Sequence, residues 1–249
     1  FGRSNNKQIK KSFSKNIIIM NAILLAGGFG TRLRPITNNI PKCLVEVRGK
    51  PLLEHWLIKL EELNCNSVLI NSHYLADQVQ NFLDNFESSL NIKLTYEEKL
   101  LGTAGTLIDN LEFFNDDEGL LIHADNFTKN NLRSLVNSHK SRPKKALLTM
   151  LTFNTDKPKQ CGIVETNDEG MVSGFYEKSN KFHGYKANGA LYMFDRKFLS
   201  WVSKKHKKAN DFSLDILPNL VGKIYTHHIN DLYVDIGTPE SLIRVNECL

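Results

Sequence analysis

The chain has 249 residues, 41% of them hydrophobic, which is enough for one large or two small domains with a substantial core and excludes disorder as the default. Its formal charge of +5 does not imply a nucleic-acid partner. Arg3, Lys7, Lys10, Lys11 and Lys15 sit in the first sixteen residues with no acid among them, and the rest of the chain carries as many basic as acidic residues, so no broad cationic face is expected.

Residues 1–16 are polar, basic and aperiodic and read as a tail, linker or tag, with Met20 a natural start, ahead of a single domain over 17–249. The apolar run Ile17–Ala26 after Lys15 superficially resembles a signal-peptide core. It leads directly into Gly27, Gly28 and Arg32, however, and a buried strand feeding a phosphate loop explains every one of those residues. No run of eighteen apolar residues exists, so no membrane span or membrane partner is expected. Cys43, Cys65, Cys161 and Cys248 are far apart and form no C-x-x-C pair, which predicts reduced thiols and a cytoplasmic protein.

From there short apolar runs alternate with amphipathic helical patterns, which predicts βαβ units in an α/β fold around a mostly parallel sheet. The strands expected are Ile17–Leu25, Ser67–Asn71, Ile92–Tyr96, Gly119–His123 and Ala146–Phe153. Between them, Pro51–Leu63 places Leu53, Leu57, Leu60 and Leu63 on one helical face, and a second helix is expected to carry Leu75, Val79, Phe82, Phe86 and Leu90. Beyond about residue 158 the pattern becomes strands and turns: Gly162–Glu165, the turn Asn167–Gly170, Val172–Glu177 and Tyr185–Phe194. Helices near Arg196–Lys204 and Pro239–Cys248 flank a strand at Ile224–His228. The division expected is a nucleotide-binding part over 17–157 and a smaller β-rich part over 158–249.

The most informative segment is Leu24-Leu25-Ala26-Gly27-Gly28-Phe29-Gly30-Thr31-Arg32-Leu33-Arg34-Pro35, an apolar strand that breaks into glycines and a basic pair. Glycines let backbone N–H groups approach phosphate oxygens closely. A dinucleotide fold would need a glycine where Leu33 stands, and the lysine of a Walker loop is missing, so neither common nucleotide motif fits. Asp125 follows the strand ending at His123, and Asp235 interrupts the apolar run Tyr233-Val234 before Gly237. An acid at the carboxyl end of a sheet strand stands where open α/β sheets bind ligands, and oxygen donors there suit Mg²⁺. Asp235 sits four residues before Pro239, too early to cap the last helix, for which Thr238 is the better N-cap.

These residues carry a resemblance. The loop Gly27–Thr37, followed by Pro41-Lys42-Cys43-Leu44-Val45 and Gly49-Lys50-Pro51-Leu52, resembles the signature of the nucleoside-diphosphate-sugar pyrophosphorylases. The likeness continues in order through Leu101–Gly105, Ala124–Asn126, Gly162–Glu165, Glu177-Lys178, Ala187–Gly189 and Asp235–Glu240, spanning residues 21–248. It implies a Rossmann-like, GT-A-like sheet flanked by helices, and joining of a nucleoside triphosphate to a sugar 1-phosphate with release of pyrophosphate. A guanylyltransferase of mannose-like or heptose phosphates is the nearest type, and a dimer or tetramer is ordinary for the family.

By the same resemblance, Arg32 and Lys42 are catalytic cations that hold the triphosphate, and Leu25, Ala26, Gly27, Gly28, Gly30, Thr31, Gly102 and Thr103 form the rest of the nucleotide site. Lys178 reaches the phosphate of the sugar, Glu177, Gly162, Asn188 and Gly189 contact its hydroxyls, and Asp125 with Asp235 binds Mg²⁺. Departures are His123, where relatives often have glycine near the aspartate, and Tyr233, displaced from the usual aromatic position. The end at Leu249 implies no fused β-helical acyltransferase domain, and His227-His228 is expected to be structural. Two other readings stay open: a cytidylyltransferase for a phosphocholine-like acceptor, caged by Phe175, Tyr176, Tyr185 and Tyr192, or a non-catalytic nucleotide-sugar sensor.

Overall fold

The computed structural model describes residues 20–115 and 117–247; of the expected elements, residues 17–19 of the first strand and Cys248 lie outside them. Strand β1 (Met20–Leu25) is apolar on both faces: Ala22 and Leu24 pack into one core cluster and Ile23 into another on the opposite side. That is the alternation of a strand covered by helices on both faces. After the glycine loop, the short pair β2 (Glu46–Val47) and β3 (Lys50–Pro51) leads into α1 (Leu52–Glu62), which buries Leu53, Trp56, Leu57 and Leu60. Trp56 also donates its indole N–H to the Asn126 carbonyl at 2.8 Å, tying α1 to the segment that follows the later strand at 118–123.

Next come β4 (Ser67–Ser72), α2 (Ala76–Asp84), β5 (Asn91–Tyr96), α3 (Gly102–Asp109) and β6 (Glu118–His123). Strands β6, β1, β4 and β5 lie side by side and parallel, as the βαβ pattern requires. Helix α2 is shorter than its apolar spacing suggests. It ends at Asp84, where the Asn85 side chain donates back to the Asn81 carbonyl, and the Glu61 carboxylate accepts from Ser88 Oγ, Ser89 Oγ and Ser89 N. Those tertiary hydrogen bonds hold the chain outside the helix, while Phe86 and Leu90 still pack onto the same core face.

The second half adds β7 (Asn126–Thr128), α4 (Arg133–Lys140), β8 (Leu148–Asn154), β9 (Gly162–Thr166), β10 (Val172–Glu177) and β11 (Lys186–Phe194). It closes with α5 (Arg196–Lys205), β12 (Ile224–His228), β13 (Tyr233–Asp235) and α6 (Pro239–Glu247). Strand β11 pairs antiparallel with β6, β8 and β9, so the β-rich part hydrogen-bonds directly into the same sheet, nine strands among the described residues. Its main path runs β10-β9-β11-β6-β1-β4-β5, with β8 beside β11 and β12 parallel to β8. The pairing that matters most for function is the smallest: β13 lies antiparallel to β7, with Asp235 opposite Asn126.

Thr238 caps α6 as expected, its hydroxyl accepting from Ser241 N at 3.3 Å while Ser241 Oγ accepts from Thr238 N at 3.1 Å. His227 and His228 contact Ser134 and Thr152 hydroxyls along β12, consistent with a structural role. Among the described residues Cys43, Cys65 and Cys161 are free thiols, and no helix is long and apolar enough to cross a membrane.

The packing sets the cost of two substitutions. A Cβ on Gly119 would drive into the Phe194 ring and lie 2.7 Å from Phe114 Cε1. Gly119→Ala is therefore expected to cost about 2 kcal/mol, read as a lower urea midpoint at unchanged slope. His139 is fully buried, its Nδ1 against Thr149 Oγ1 at 2.8 Å and its Nε2 without a partner among the described residues. Burial, helped by nearby Arg142, pushes its imidazole down to about 3. The unfolded chain takes that proton first, near pH 6.5, so the stability contributed by the neutral ring is present above that pH and lost as pH falls from there towards 3. Between pH 7 and pH 5 the loss should be about 2 kcal/mol, and His139→Gln should flatten that part of the urea stability profile.

Candidate active site

At the carboxyl end of β1 the chain turns sharply, and the Ala26 N–H donates to Asn71 Oδ1 at 2.7 Å, at the neighbouring end of β4. A side chain on Gly27 would begin 3.0 Å from Asn71 Nδ2 and 3.2 Å from Leu100. Gly30 adopts φ +63°, and a Cβ there would meet Lys42 Cβ at 3.1 Å. Both glycines thus permit close approach, the first of the loop to β4 and the second of the loop to Lys42. Thr31–Leu33 form a 3₁₀ turn whose Leu33 is buried, which leaves Arg32 on the rim with its side chain 63% exposed.

Lys42 opens another 3₁₀ turn just after Pro41, and the burial of Cys43 and Leu44 carries it inward. Its side chain is only 11% exposed, so it is not a solvated surface lysine. Nζ lies 2.6 Å from Asp125 Oδ2 and 3.5 Å from Asp235 Oδ1, while the Arg32 guanidinium lies 3.5 Å from Asp235 Oδ2. Gly237 makes the last contact possible, because a Cβ there would sit 2.9 Å from Arg32 Nη2. Two cations from the loop after β1 and two carboxylates from distant parts of the chain alternate through one cluster.

The electrostatics follow. Burial alone would pull the Lys42 ammonium down, but Asp125 and Asp235 outweigh it and hold it above its ordinary value. Burial pushes the Asp125 carboxyl up, and Lys42, with His123 behind it, overcomes that and keeps it below the usual carboxylate range. The Lys42–Asp125 pair is charged on both sides at neutral pH. His123 lines the site with its Nε2 unpartnered among the described residues; burial holds the imidazole below its normal range despite the pull of Asp125.

A cavity of about 220 Å³ opens beside this cluster. Leu25, Ala26, Gly27, Gly28, Lys42, Gly102, Thr103 and Asp125 all line it, so eight of the expected residues share one space. The Gly102 turn forms its far wall: Gly102 takes φ +80° where a side chain would strike the Asn210 carbonyl, and that carbonyl accepts from Ala104 N at 3.0 Å. The Thr103 hydroxyl accepts from Phe212 N at 2.7 Å, so it anchors the wall to the 210–212 segment. Arg32, Asp235, Gly237 and Thr238 line a second cavity of about 250 Å³ on the other side of the cluster. Gly30, half-buried, and Thr31, exposed, line neither cavity.

Asp125 and Asp235 are the residues that could hold a divalent cation. They direct carboxylate oxygens at one shared cationic atom, Lys42 Nζ, and among the described residues no group of three or more His, Cys, Asp or Glu is placed to hold a metal ion, so these two carboxylates are the only donors such an ion would find in the cluster. Mg²⁺ is ordinarily held by one or two carboxylates with substrate phosphates and water completing its shell.

The residues expected to hold the sugar gather around β9, β10 and β11 and line neither cavity. Glu177 Oε2 occupies the space where a Gly162 side chain would begin, burial raises its carboxyl, and Lys178, 69% exposed, sits 3.6 Å from Oε1. The Asn188 amide donates to the Tyr192 hydroxyl at 2.7 Å and accepts from Ala190 N at 2.9 Å. Gly189 is packed against Leu151, and its carbonyl accepts from the Tyr233 hydroxyl, which gives that displaced aromatic a buried structural bond. The four rings considered for an aromatic cage take different partners: Tyr176 stacks on His183, Tyr185 meets Phe182 and Tyr192 meets Phe212, while Phe175 packs against the core.

Asn71, Glu97 and Thr106 also line the cavity of about 220 Å³, and the sequence reasoning missed them. The available signal was a polar residue at the carboxyl end of a strand, Asn71 within the buried β4 and Glu97 just past β5. Thr106 is hidden in the helical face of α3 and leaves no such mark.

Residues 21–249 match the family model described as Nucleotidyl transferase. Over 232 residues the chain is 32% identical to a probable mannose-1-phosphate guanylyltransferase of Oryza sativa subsp. japonica and 30% identical to mannose-1-phosphate guanylyltransferase 1 of Arabidopsis thaliana. Each alignment covers 90% of this chain and 63% of the relative, so the chain spans less than two thirds of their length. A Bacillus anthracis structure assigned as a glucose-1-phosphate thymidylyltransferase is 24% identical with a TM-score of 0.81, covering 91% of this chain and 94% of that one. HddC of Yersinia pseudotuberculosis, complexed with GMP-PN, is 22% identical with a TM-score of 0.73, covering 91% and 98%. These two establish the shared fold.

Proposed function

The chain belongs to the nucleotidyl transferase family, and from that premise we propose that it joins a nucleoside triphosphate to a sugar 1-phosphate and releases pyrophosphate. The observation that carries the reading is Lys42, buried beside the glycine loop between Asp125 and Asp235. GTP is the first-choice nucleotide and a mannose-like or heptose 1-phosphate the acceptor, in keeping with the guanylyltransferases that the chain resembles over 90% of its length.

In this reaction an oxygen of the sugar phosphate attacks the α-phosphorus in line and pyrophosphate leaves. Two polyanions must be brought together, so positioning and positive charge supply most of the catalysis. The backbone of Ala26–Gly28 cradles phosphate oxygens, and Lys42 and Arg32 stabilise charge on the transferring and leaving groups. No serine, cysteine or histidine nucleophile is needed for a direct displacement. Mg²⁺ held by Asp125 and Asp235 would supply further charge neutralisation at the phosphates. Glu177, Gly162, Asn188 and Gly189 orient the sugar, and Lys178 meets its phosphate.

The test is a panel of the four common nucleoside triphosphates against sugar 1-phosphates with Mg²⁺, read as pyrophosphate release. GTP with mannose 1-phosphate or a heptose 1-phosphate should give the strongest signal. Silence from folded protein across every pair would sink the proposal.

A further inference from the structure

Glu97 is a buried carboxylate that the roles above leave unused. It follows β5, is 6% exposed and lines the nucleotide-side cavity, with no salt-bridge partner among the described residues. Its Oε1 accepts from Asn71 Nδ2 at 3.0 Å and from the Thr106 hydroxyl at 2.6 Å, and its Oε2 accepts from Leu101 N at 3.0 Å. Burying a carboxylate without a cation is costly unless its oxygens are supplied with donors, and here three are.

The bonds form a chain across the cavity. A carboxylate only accepts, so Glu97 obliges the Asn71 amide to present its NH₂ group to it and its oxygen to the Ala26 N–H. The opposite amide orientation would set Asn71 NH₂ against Ala26 N–H. One carboxylate therefore ties the glycine loop, through Asn71, to the turn that enters α3, through Leu101 and Thr106. These are the two walls of the cavity.

We propose that Glu97 is a positioning residue for the nucleoside triphosphate: by fixing the orientation of the Asn71 amide it sets the Ala26–Gly28 backbone at the place where phosphate oxygens bind. This rests on the reading of the cavity as the nucleotide site. It differs from a general stabilising role in a way that kinetics separate. Loss of folded protein lowers the active fraction for both substrates, whereas a displaced glycine loop weakens the triphosphate alone.

The experiment measures Kd for GTP with Mg²⁺ by calorimetry and KM for both substrates, using the full chain. Glu97→Gln leaves one acceptor oxygen where Asn71 Nδ2 and Leu101 N each had their own, so its NH₂ group must face one of those two donors and break the tie between the walls. It should weaken GTP by about tenfold or more while leaving KM for the sugar phosphate within about twofold. Asn71→Ala breaks the chain at its middle and should produce the same selective loss if Glu97→Gln is too unstable to assay. The double variant N71D/E97Q reverses donor and acceptor about one hydrogen bond, keeps an acceptor for Ala26 N–H, and should recover most of the affinity. GTP binding unchanged in both single variants, a parallel rise in KM for both substrates, or a double variant no better than Glu97→Gln would each overturn the proposal. Wild-type protein that binds GTP without releasing pyrophosphate would sink the enzymatic reading but leave the Kd comparison decisive for Glu97; wild-type protein that binds no triphosphate would overturn both.

Discussion

Asp125→Asn should reduce pyrophosphate release by about 10³-fold or more, the scale of several kcal/mol of charge stabilisation at a transferring phosphoryl group. The substitution keeps the shape of the side chain and removes its charge, so the fold is expected to survive. Two things fail together. Lys42 loses its 2.6 Å partner, and the pair of carboxylates that converge on one cationic position is reduced to Asp235 alone. The check is steady-state pyrophosphate release over a Mg²⁺ titration, with thermal melting to confirm folding. Activity within about tenfold of wild type would remove Asp125 from the machinery, whereas wild-type protein that binds nucleotide without releasing pyrophosphate would favour a non-catalytic nucleotide-sugar sensor.

Lys42→Met should lower kcat by about 10²- to 10³-fold, as expected when one preorganised donor to a developing negative charge is removed. Methionine preserves much of the apolar stem, so the buried packing around Cys43 and Leu44 is retained while the ammonium is lost. KM for the sugar phosphate should change little, because the residues assigned to the sugar lie around β9, β10 and β11. Lys42→Arg is not expected to rescue. The slot is bounded by Gly30, packed so closely that a Cβ added there would lie 3.1 Å from Lys42 Cβ. A planar guanidinium cannot replace a point charge that reaches two carboxylates from that slot. Turnover of either variant above about a tenth of wild type would refute this account of Lys42.

Much of the site was legible because it is local. The break of an apolar strand into Gly27 and Gly28 predicts a tight loop after β1 that admits close approach to its backbone, and polar residues at strand ends singled out Asp125 and Asp235. Thr238 was readable as a cap from its place immediately before Pro239, the first residue of α6. The parallel half of the sheet was readable from the alternation of apolar runs with amphipathic helices. Helix α2 ends earlier than its pattern implies for the opposite reason: apolar spacing continues through Phe86 and Leu90, but Glu61, on α1, captures Ser88 and Ser89 and ends the helix.

By itself, then, the amino-acid sequence determined the α/β class, the glycine loop and the kinds of charged group available to it, since each depends on neighbours within a few residues. Only the tertiary structure decided that Lys42 is buried between Asp125 and Asp235, because that depends on β13 pairing with β7 in the register that sets Asp235 opposite Asn126. It also decided that Asn71, Glu97 and Thr106 form one hydrogen-bonded chain behind the loop. Buried polar groups must find partners, and which partners they find is settled by packing between segments that are distant along the chain.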